Sequence, residues 1–237
     1  MNSKSIRATI SLAAFFFAAS WLCPWAHSAQ DYCRVLEAEG KVEILKMNAA
    51  EWLPLTKENF IKGGDTIRTS VESHVEFSTK PDFSTLLRLN NSSEAKMMGD
   101  DFTRLDLRRG TLSILREPDS GVFAADVKES GLFQIFTKNV TISFLQGGCS
   151  VSLLNAGILV QVFAENVKIR RPIFPERKTN FKTVTEGFKY FIPNSKGKLP
   201  VELVRMPFGD YAPWESWARS CYKRKDARAE DLLIKKK

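Results

Sequence analysis

The chain has 237 residues, of which 43% are hydrophobic and 26% are charged, and its formal net charge is +8. This balance is typical of a globular protein with one large or two small domains, and it excludes a disordered chain. Beyond the first 30 residues, no run approaches the ~20 apolar residues of a membrane-spanning helix, so we expect the remainder to be soluble.

The N-terminal segment has the organisation of a secretory signal peptide. Two cations, Lys4 and Arg7, precede an apolar run over residues 8–25, and small residues follow. This pattern predicts a signal peptide over residues 1–29 and a periplasmic or secreted protein. The alternative is an uncleaved membrane anchor, which Pro24 and the short apolar run disfavour.

Removal of residues 1–29 would leave 33 Lys and Arg residues against 27 Asp and Glu residues, a net charge of +6. In an exported protein, a basic surface meets anionic envelope material more readily than nucleic acid. We therefore expect an envelope protein or polysaccharide as the partner, with peripheral membrane contact as an alternative and no nucleic acid. No cofactor is predicted, and the oligomeric state stays open.

Short segments with alternating apolar residues dominate the middle of the chain. In "VESHVEFST", residues 71, 73, 75 and 77 share one face, and the acidic alternate positions share a face that we expect to be solvated. "RLDLRRGTLSIL" predicts a hairpin with Gly110 at its turn. Earlier strands are predicted at 33–37, 42–46, 53–56, 66–69 and 86–90.

Turns recur about every ten residues between 139 and 170, where "QGG", "NAG" and "AEN" separate alternating segments. This spacing predicts an all-β fold, either an antiparallel sandwich or a β-roll or twisted β-helix of short strands. The stretch 117–131 lacks a pattern and is predicted to be a surface loop.

The composition changes after residue 170. We expect a connector, a hairpin around Gly187 and then an amphipathic helix that begins near Pro213, with apolar residues that include Trp214 and Trp217 on one face. Docking of this helix on the β-domain is the favoured interpretation, and contact with an anionic membrane is the alternative. The predicted domains are therefore a signal peptide (1–29), an all-β domain (30–170) and a C-terminal extension (171–237).

Three cysteines follow the signal peptide: Cys33, Cys149 and Cys221. Cys149 alternates with apolar neighbours, which predicts a small buried side chain. Because domain termini are often close, Cys33 and Cys221 are the candidate disulfide, with no bridge as the equal alternative. No Cys or His spacing indicates a metal site.

The segment "GGDTIRTS" (63–70) combines a flexible turn with a strand. Gly64 can adopt positive φ, and Asp65 can accept backbone N–H bonds and fix the turn. Ile67 should then face the core, and Arg68 should face outward, near Asp65 or an acid on a neighbouring strand. These positions, with Thr69 and Gly110, are predicted to have structural roles rather than catalytic ones.

The order of these motifs resembles a FecR-type domain, the family named for the periplasmic regulator of ferric-citrate uptake in bacteria. The resemblance covers about residues 33–170 and is more specific in its first half. The matching positions are Gly40, Val42, Trp52, Gly64, Asp65, Ile67, Thr69, Ser92, Leu105, Leu107, Gly110 and Leu112.

The resemblance implies an all-β module outside the cytoplasm that has no catalytic activity and acts in binding, scaffolding or sensing. The sequence departs from the regulator because it shows no cytoplasmic N-terminal segment for a sigma factor and no internal membrane span. Transmembrane signalling is therefore not expected of this chain.

Two other functions remain as alternatives. A secreted hydrolase would need a carboxylate pair, for which Asp100 with Asp101 and Glu72 with Glu76 are the visible clusters. The only histidine after the signal peptide, His74, is expected on an exposed strand face. A binder of anionic wall polymer, polysaccharide or membrane would use the basic patches "RRP", "ERK", "KRK" and "KKK" between residues 170 and 237.

Overall fold

The computed structural model describes residues 33–79, 83–100, 102–117, 132–138, 140–170, 181–194 and 203–234. These residues form seventeen strands and one helix. The strands are β1 (Cys33–Glu39), β2 (Val42–Leu45), β3 (Trp52–Pro54), β4 (Phe60–Ile61), β5 (Thr66–Thr69), β6 (His74–Ser78), β7 (Thr85–Leu89), β8 (Glu94–Met97), β9 (Arg104–Arg116), β10 (Phe133–Phe136), β11 (Thr141–Phe144), β12 (Gly147–Leu154), β13 (Gly157–Ala164), β14 (Asn166–Arg170), β15 (Phe181–Thr185), β16 (Phe188–Pro193) and β17 (Leu203–Arg205), and the helix is α1 (Phe208–Ile234).

The strands form two layers that share β9. Layer A has the order β4-β1-β6-β7-β9-β12-β13-β16-β17. Layer B has the order β3-β2-β5-β8-β9-β10-β11-β14-β15, and its β9–β10 pair is parallel while the other pairs are antiparallel. The chain is thus an all-β protein with a C-terminal helix, as the sequence predicts.

The chain repeatedly crosses from one layer to the other, and a residue with positive φ lies at eight of these crossings. Such a residue reverses the local backbone direction over a very short distance, which glycine does at the lowest cost. The eight residues are Gly40, Gly64, Glu72, Ser92, Gly110, Gly147, Glu165 and Gly187.

The hairpin predicted at Gly110 is wrong. Residues 104–116 form the single strand β9, in which Gly110 has a φ of 79°. The part before this bend pairs with β8 and β10, and the part after it pairs with β7 and β12. The sequence indicates a change of chain direction at Gly110. Whether this change is a hairpin turn or a bend within one strand depends on the partner strands, which lie elsewhere in the chain.

The turn at Gly187 likewise joins two layers rather than two paired strands. β15 pairs with β14 in layer B, whereas β16 pairs with β13 in layer A. Both strands follow residue 170, so the described part of the C-terminal extension continues the sheets formed by residues 33–170.

One apolar core lies between the layers. Inward-facing residues with almost no exposed surface come from both of them, including Phe77 and Leu87 of layer A and Ile67 and Leu105 of layer B. Burial of such side chains stabilises the fold by roughly 1.5–3 kcal/mol each. Cys149 belongs to this core as a small buried residue, which confirms its predicted packing.

Helix α1 packs on the outer face of layer A. It begins at Phe208, so Pro213 lies inside it rather than at its start. Trp217, Ala218 and Cys221 are buried against Leu86 and Leu115. The docked arrangement therefore holds, and no helix among the described residues has the length and apolar composition needed to span a membrane.

Several sequence predictions concern residues outside the described ranges. They are the signal peptide (1–29), the hydrolase candidate Asp101, the loop after Glu117, residues 171 and 172 of the "RRP" patch, the "ERK" patch and the final three lysines.

Candidate functional site

Asp65 anchors the turn of the "GGDTIRTS" segment, as predicted. Its side chain is buried and accepts hydrogen bonds from the backbone N–H groups of Met47 (3.0 Å) and Lys62 (2.9 Å). Lys46 Nζ lies 3.0 Å from the same carboxylate. Gly64 has a φ of 86°, and a Cβ there would overlap the Met47 side chain, so glycine fits this turn from layer A to layer B better than any other residue.

Arg68 lies on the outer face of layer B and pairs with the acid on its neighbouring strand. Its Nε donates to Glu43 Oε2 at 2.7 Å, and its guanidinium carbon lies 4.0 Å from the Trp52 ring centroid. The hydrogen bond from Arg68 is the main reason why the pKa of Glu43 is lowered. Ile67 and Thr69 are buried beside it. These motif residues therefore build the layers and do not converge on a cleft.

The predicted Cys33–Cys221 disulfide is not present. All three described cysteines are buried and free. Cys33 lies in the core between the layers, whereas Cys221 lies on the buried face of α1, on the opposite side of layer A, so the sheet separates the two thiols. Burial raises the pKa of all three, that of Cys149 to about 12.

A continuous row of polar residues crosses the outer face of layer A. Strand register places one residue of each strand directly opposite the next, so the row runs perpendicular to the strands. The residues of this polar row are Glu37, Glu76, Arg88, Ser113, Ser150, Gln161 and Lys189.

Helix α1 is attached to both ends of the polar row by ion pairs. Asp210 lies 2.8 Å from Lys189 Nζ, and Arg224 donates to Glu76 and, at 2.8 Å, to Glu37. Fourteen residues of helix span ~21 Å, and the five strand spacings between β6 and β16 span ~24 Å. The helix therefore crosses the strands along the row and is held at the two positions where its length matches the sheet.

Glu76 departs from the sequence prediction of a solvated acidic face. Only 4% of its surface is exposed, because α1 covers this side of β6, and Arg88 Nη1 lies 3.7 Å from its carboxylate. Glu72, its predicted partner, is an exposed turn residue with a φ of 55°. The two acids do not face each other.

Aromatic contacts hold the N-terminal half of α1. The Trp214 ring stacks on Phe163 with centroids 4.7 Å apart and an interplanar angle of 10°, and Trp217 meets Trp214 edge to face at 6.5 Å. Trp214 lies so close to the backbone of β12 that a Cβ on Gly148 would overlap its ring. The packing of α1 on β12 therefore needs glycine at position 148.

A groove of about 430 Å³ runs between α1 and the middle of the polar row. We call it the α1 groove. Its floor consists of Arg88, Asn90, Ser113, Ser150, Gln161 and Phe163, and its helical wall consists of Gly209, Asp210, Pro213, Trp214 and Trp217. Polar floor and aromatic wall together suit a small organic ligand, and this volume is in the usual range for one.

Three buried N–H groups of residues that line this groove have no hydrogen-bond partner in the described structure. They are Nε1 of Trp214, Nε1 of Trp217 and Nε of Arg88. A buried donor without an acceptor costs ~1–3 kcal/mol, and such groups are few in folded proteins. Their coincidence at one groove makes it the candidate functional site.

One cluster of potential metal ligands lies beside the groove. Glu37, His74 and Glu76 each offer one ligand atom, and these atoms lie within 4.8 Å of one another. Arg224 donates to both carboxylates, so a guanidinium already supplies the positive charge between them. His74 is half-buried with Nδ1 3.4 Å from Glu39, which corrects its expected exposure.

Apart from Pro213 and the two tryptophans of α1, no local sequence pattern distinguishes the residues that line the groove. Serines 113 and 150 alternate with core residues and read as an ordinary solvated face. Their signal is the strand register across four strands, which a single sequence does not reveal.

No protein-family model matches the sequence, and no curated protein matches it. Among solved structures, the fold is similar to two crystal structures from Parabacteroides distasonis, each assigned as an anti-sigma factor. The TM-scores are 0.47 and 0.45, and the sequence identities are 15% and 16%. Each alignment covers 63% of this chain and 63% of the other, so this chain matches less than two thirds of their length.

Proposed function

We propose that this protein is an exported FecR-type module that binds a component of the bacterial cell envelope and has no catalytic activity. The observation that carries the proposal is the α1 groove: a helix fixed by ion pairs at both ends leaves a cleft above a polar strand row. A fixed helix over a rigid sheet is a preorganised binding site, which lowers the entropy cost of binding.

The FecR-type resemblance supports the location and class of this module. Several residues that match the family pattern have a structural role in the fold. Gly40, Gly64, Ser92 and Gly110 have positive φ at layer crossings. Asp65 fixes one of these turns through backbone hydrogen bonds. A scaffold or sensory role outside the cytoplasm fits such a pattern.

The two alternatives receive less support from the geometry. Glu76 is held by two arginines and turned away from Glu72, which weakens a hydrolase that uses this pair. Two cations of the "KRK" patch are engaged within the fold: Arg224 with Glu76, and Lys225 with Glu117. They are less available for an anionic polymer.

The experiment is site-specific photo-crosslinking in cells that export the protein, followed by fractionation. A photoreactive residue at Gly209 suits the purpose because a Cβ there would meet no atom within 4 Å and the position lines the groove. Lys168, exposed on layer B, is the matched control position. We expect a crosslinked envelope component from position 209 and none from position 168.

A protein retained in the cytoplasmic fraction would contradict export. Equal crosslinking from both positions would contradict binding at the groove. Turnover of a defined substrate by the purified protein, lost when Glu76 is replaced by glutamine, would support the hydrolase instead.

A further inference from the structure

We infer that the α1 groove binds a neutral, hydroxyl-rich ligand, a short segment of a carbohydrate chain. This inference rests on the proposed binding function and names the chemistry of its ligand. It is carried by the buried donors, by the balance of charge in the groove and by the mixed donor and acceptor character of its floor.

The buried donors favour a ligand that offers acceptors. Trp217 is only 4% exposed, yet its Nε1 has no acceptor, and the same holds for Nε1 of Trp214 and Nε of Arg88. Tryptophan N–H groups usually find a partner when they are buried. With α1 held in place, rotation of these side chains would turn their N–H groups toward a ligand in the groove, and hydroxyl oxygens would then satisfy them.

The charges that line the groove are already matched, which favours a neutral ligand over an anion. Arg88 Nη1 lies 3.7 Å from Glu76, and Asp210 lies 2.8 Å from Lys189. Arg88 and Asp210 are the only two charged residues among those that line the groove. An anionic polymer would therefore find one carboxylate and no unmatched cation, in spite of the chain's net charge of +8.

The floor both donates and accepts hydrogen bonds. Asn90 Nδ2 lies 3.3 Å from Ser113 Oγ, which lies 3.4 Å from Ser150 Oγ, and Gln161 adds an amide in the same row. A sugar hydroxyl donates and accepts at once, whereas an ionised carboxylate only accepts. The groove thus matches hydroxyl groups more fully than it matches an anion.

The test is a fluorescence titration of the full protein with neutral tetrasaccharides, namely chitotetraose, cellotetraose and maltotetraose, and with tetragalacturonate as the anionic counterpart. We expect at least one neutral probe to bind with little salt dependence. Trp217→Phe removes one donor and should weaken binding about three- to tenfold. Trp52→Phe changes a tryptophan on layer B and should leave affinity unchanged.

A second pair of variants keeps the test independent of the packing of Trp217. Gly209→Trp should obstruct the groove and weaken binding by more than about tenfold, whereas Gly209→Ala should leave binding intact. Position 209 is open, so folding should be preserved in both variants.

Any of three results would overturn the inference. The first is that no neutral probe binds at concentrations of about 10 mM, and the second is that affinity is unchanged in both Trp217→Phe and Gly209→Trp. The third is that tetragalacturonate binds more tightly than every neutral probe. In each case, a specific crosslink from position 209 would leave the proposed binding function standing. Loss of both the crosslink and the glycan binding would overturn the inference and the proposed function together.

Discussion

Arg224 donates a hydrogen bond to the carboxylate of Glu76, a residue that lies 148 positions earlier in the chain and is almost fully buried. This contact joins the last element of the fold to one of its first strands. It also explains why an acid can be buried on the outer face of a sheet: the helix that removes Glu76 from water brings the compensating charge.

Removal of Arg224 should therefore destabilise the protein. Arg224→Ala leaves Glu76 beneath the helix with Arg88, at 3.7 Å, as its ion-pair partner, and we expect a loss of about 2–3 kcal/mol, less than for a fully buried pair because Arg224 is partly exposed. Urea denaturation measures the change.

The neighbouring Lys223→Ala is the matched control, since Lys223 is exposed on the same helix, and it should change stability by less than about 0.5 kcal/mol. Adding Glu76→Gln to Arg224→Ala should recover only part of the loss, because the buried carboxylate is then neutral but Arg88 loses its ion-pair partner. Equal effects of the lysine and arginine variants would mean that the ion pair does not hold α1.

Gly148→Ala should disturb the packing of α1 on β12. The added methyl group overlaps the Trp214 ring, so either the ring or β12 must move, at a cost of about 1–3 kcal/mol. Near-ultraviolet circular dichroism should lose the signal of the Phe163–Trp214 stack. Gly209→Ala is the control, and it should be neutral or slightly stabilising because alanine favours the helix.

Gly110→Ala should cost more than about 2 kcal/mol. Its φ of 79° disfavours any residue with a Cβ, and that Cβ would lie 2.6 Å from Cα of Ser93, a backbone atom that cannot turn away. Glu165→Gly should have the opposite effect on stability. Glu165 has a φ of 63° at another crossing, so glycine there should be neutral or stabilising. Thermal denaturation of both variants compares them directly. A tolerated alanine at 110 would show that the bend in β9 is not fixed.

The three buried thiols make stability depend on pH in the alkaline range. Burial raises the pKa of Cys149 from 9.0 to about 12, so the folded state keeps a proton that the unfolded state loses. The free energy of unfolding should therefore be unaffected by this thiol below about pH 9 and should fall between pH 9 and 12, by at most about 1.4 kcal/mol per pH unit for each thiol.

Thiol reactivity gives an independent measurement of the same burial. At pH 8 in the absence of denaturant, Cys33, Cys149 and Cys221 should react slowly with a disulfide reagent, and all should react at once in denaturant. Rapid reaction of one of them in the folded protein would show that its cover opens.

The amino-acid sequence by itself determined the local features of this protein. Alternation of apolar residues predicts the β-class and most strands, because a strand buries every second side chain whatever its partner. The Gly64-Asp65 turn, the burial of Ile67 and Cys149 and the amphipathic face of α1 could all be read in the same way, since each depends on neighbours in the chain.

Only the tertiary structure decided what these elements contact. Strand register and the position of α1 decide whether Gly110 makes a turn or a bend and whether Glu76 is solvated or buried. They also decide which serines form the floor of the groove. Those contacts join residues more than twenty positions apart, and they are selected by the packing of the whole core rather than by any short stretch of sequence.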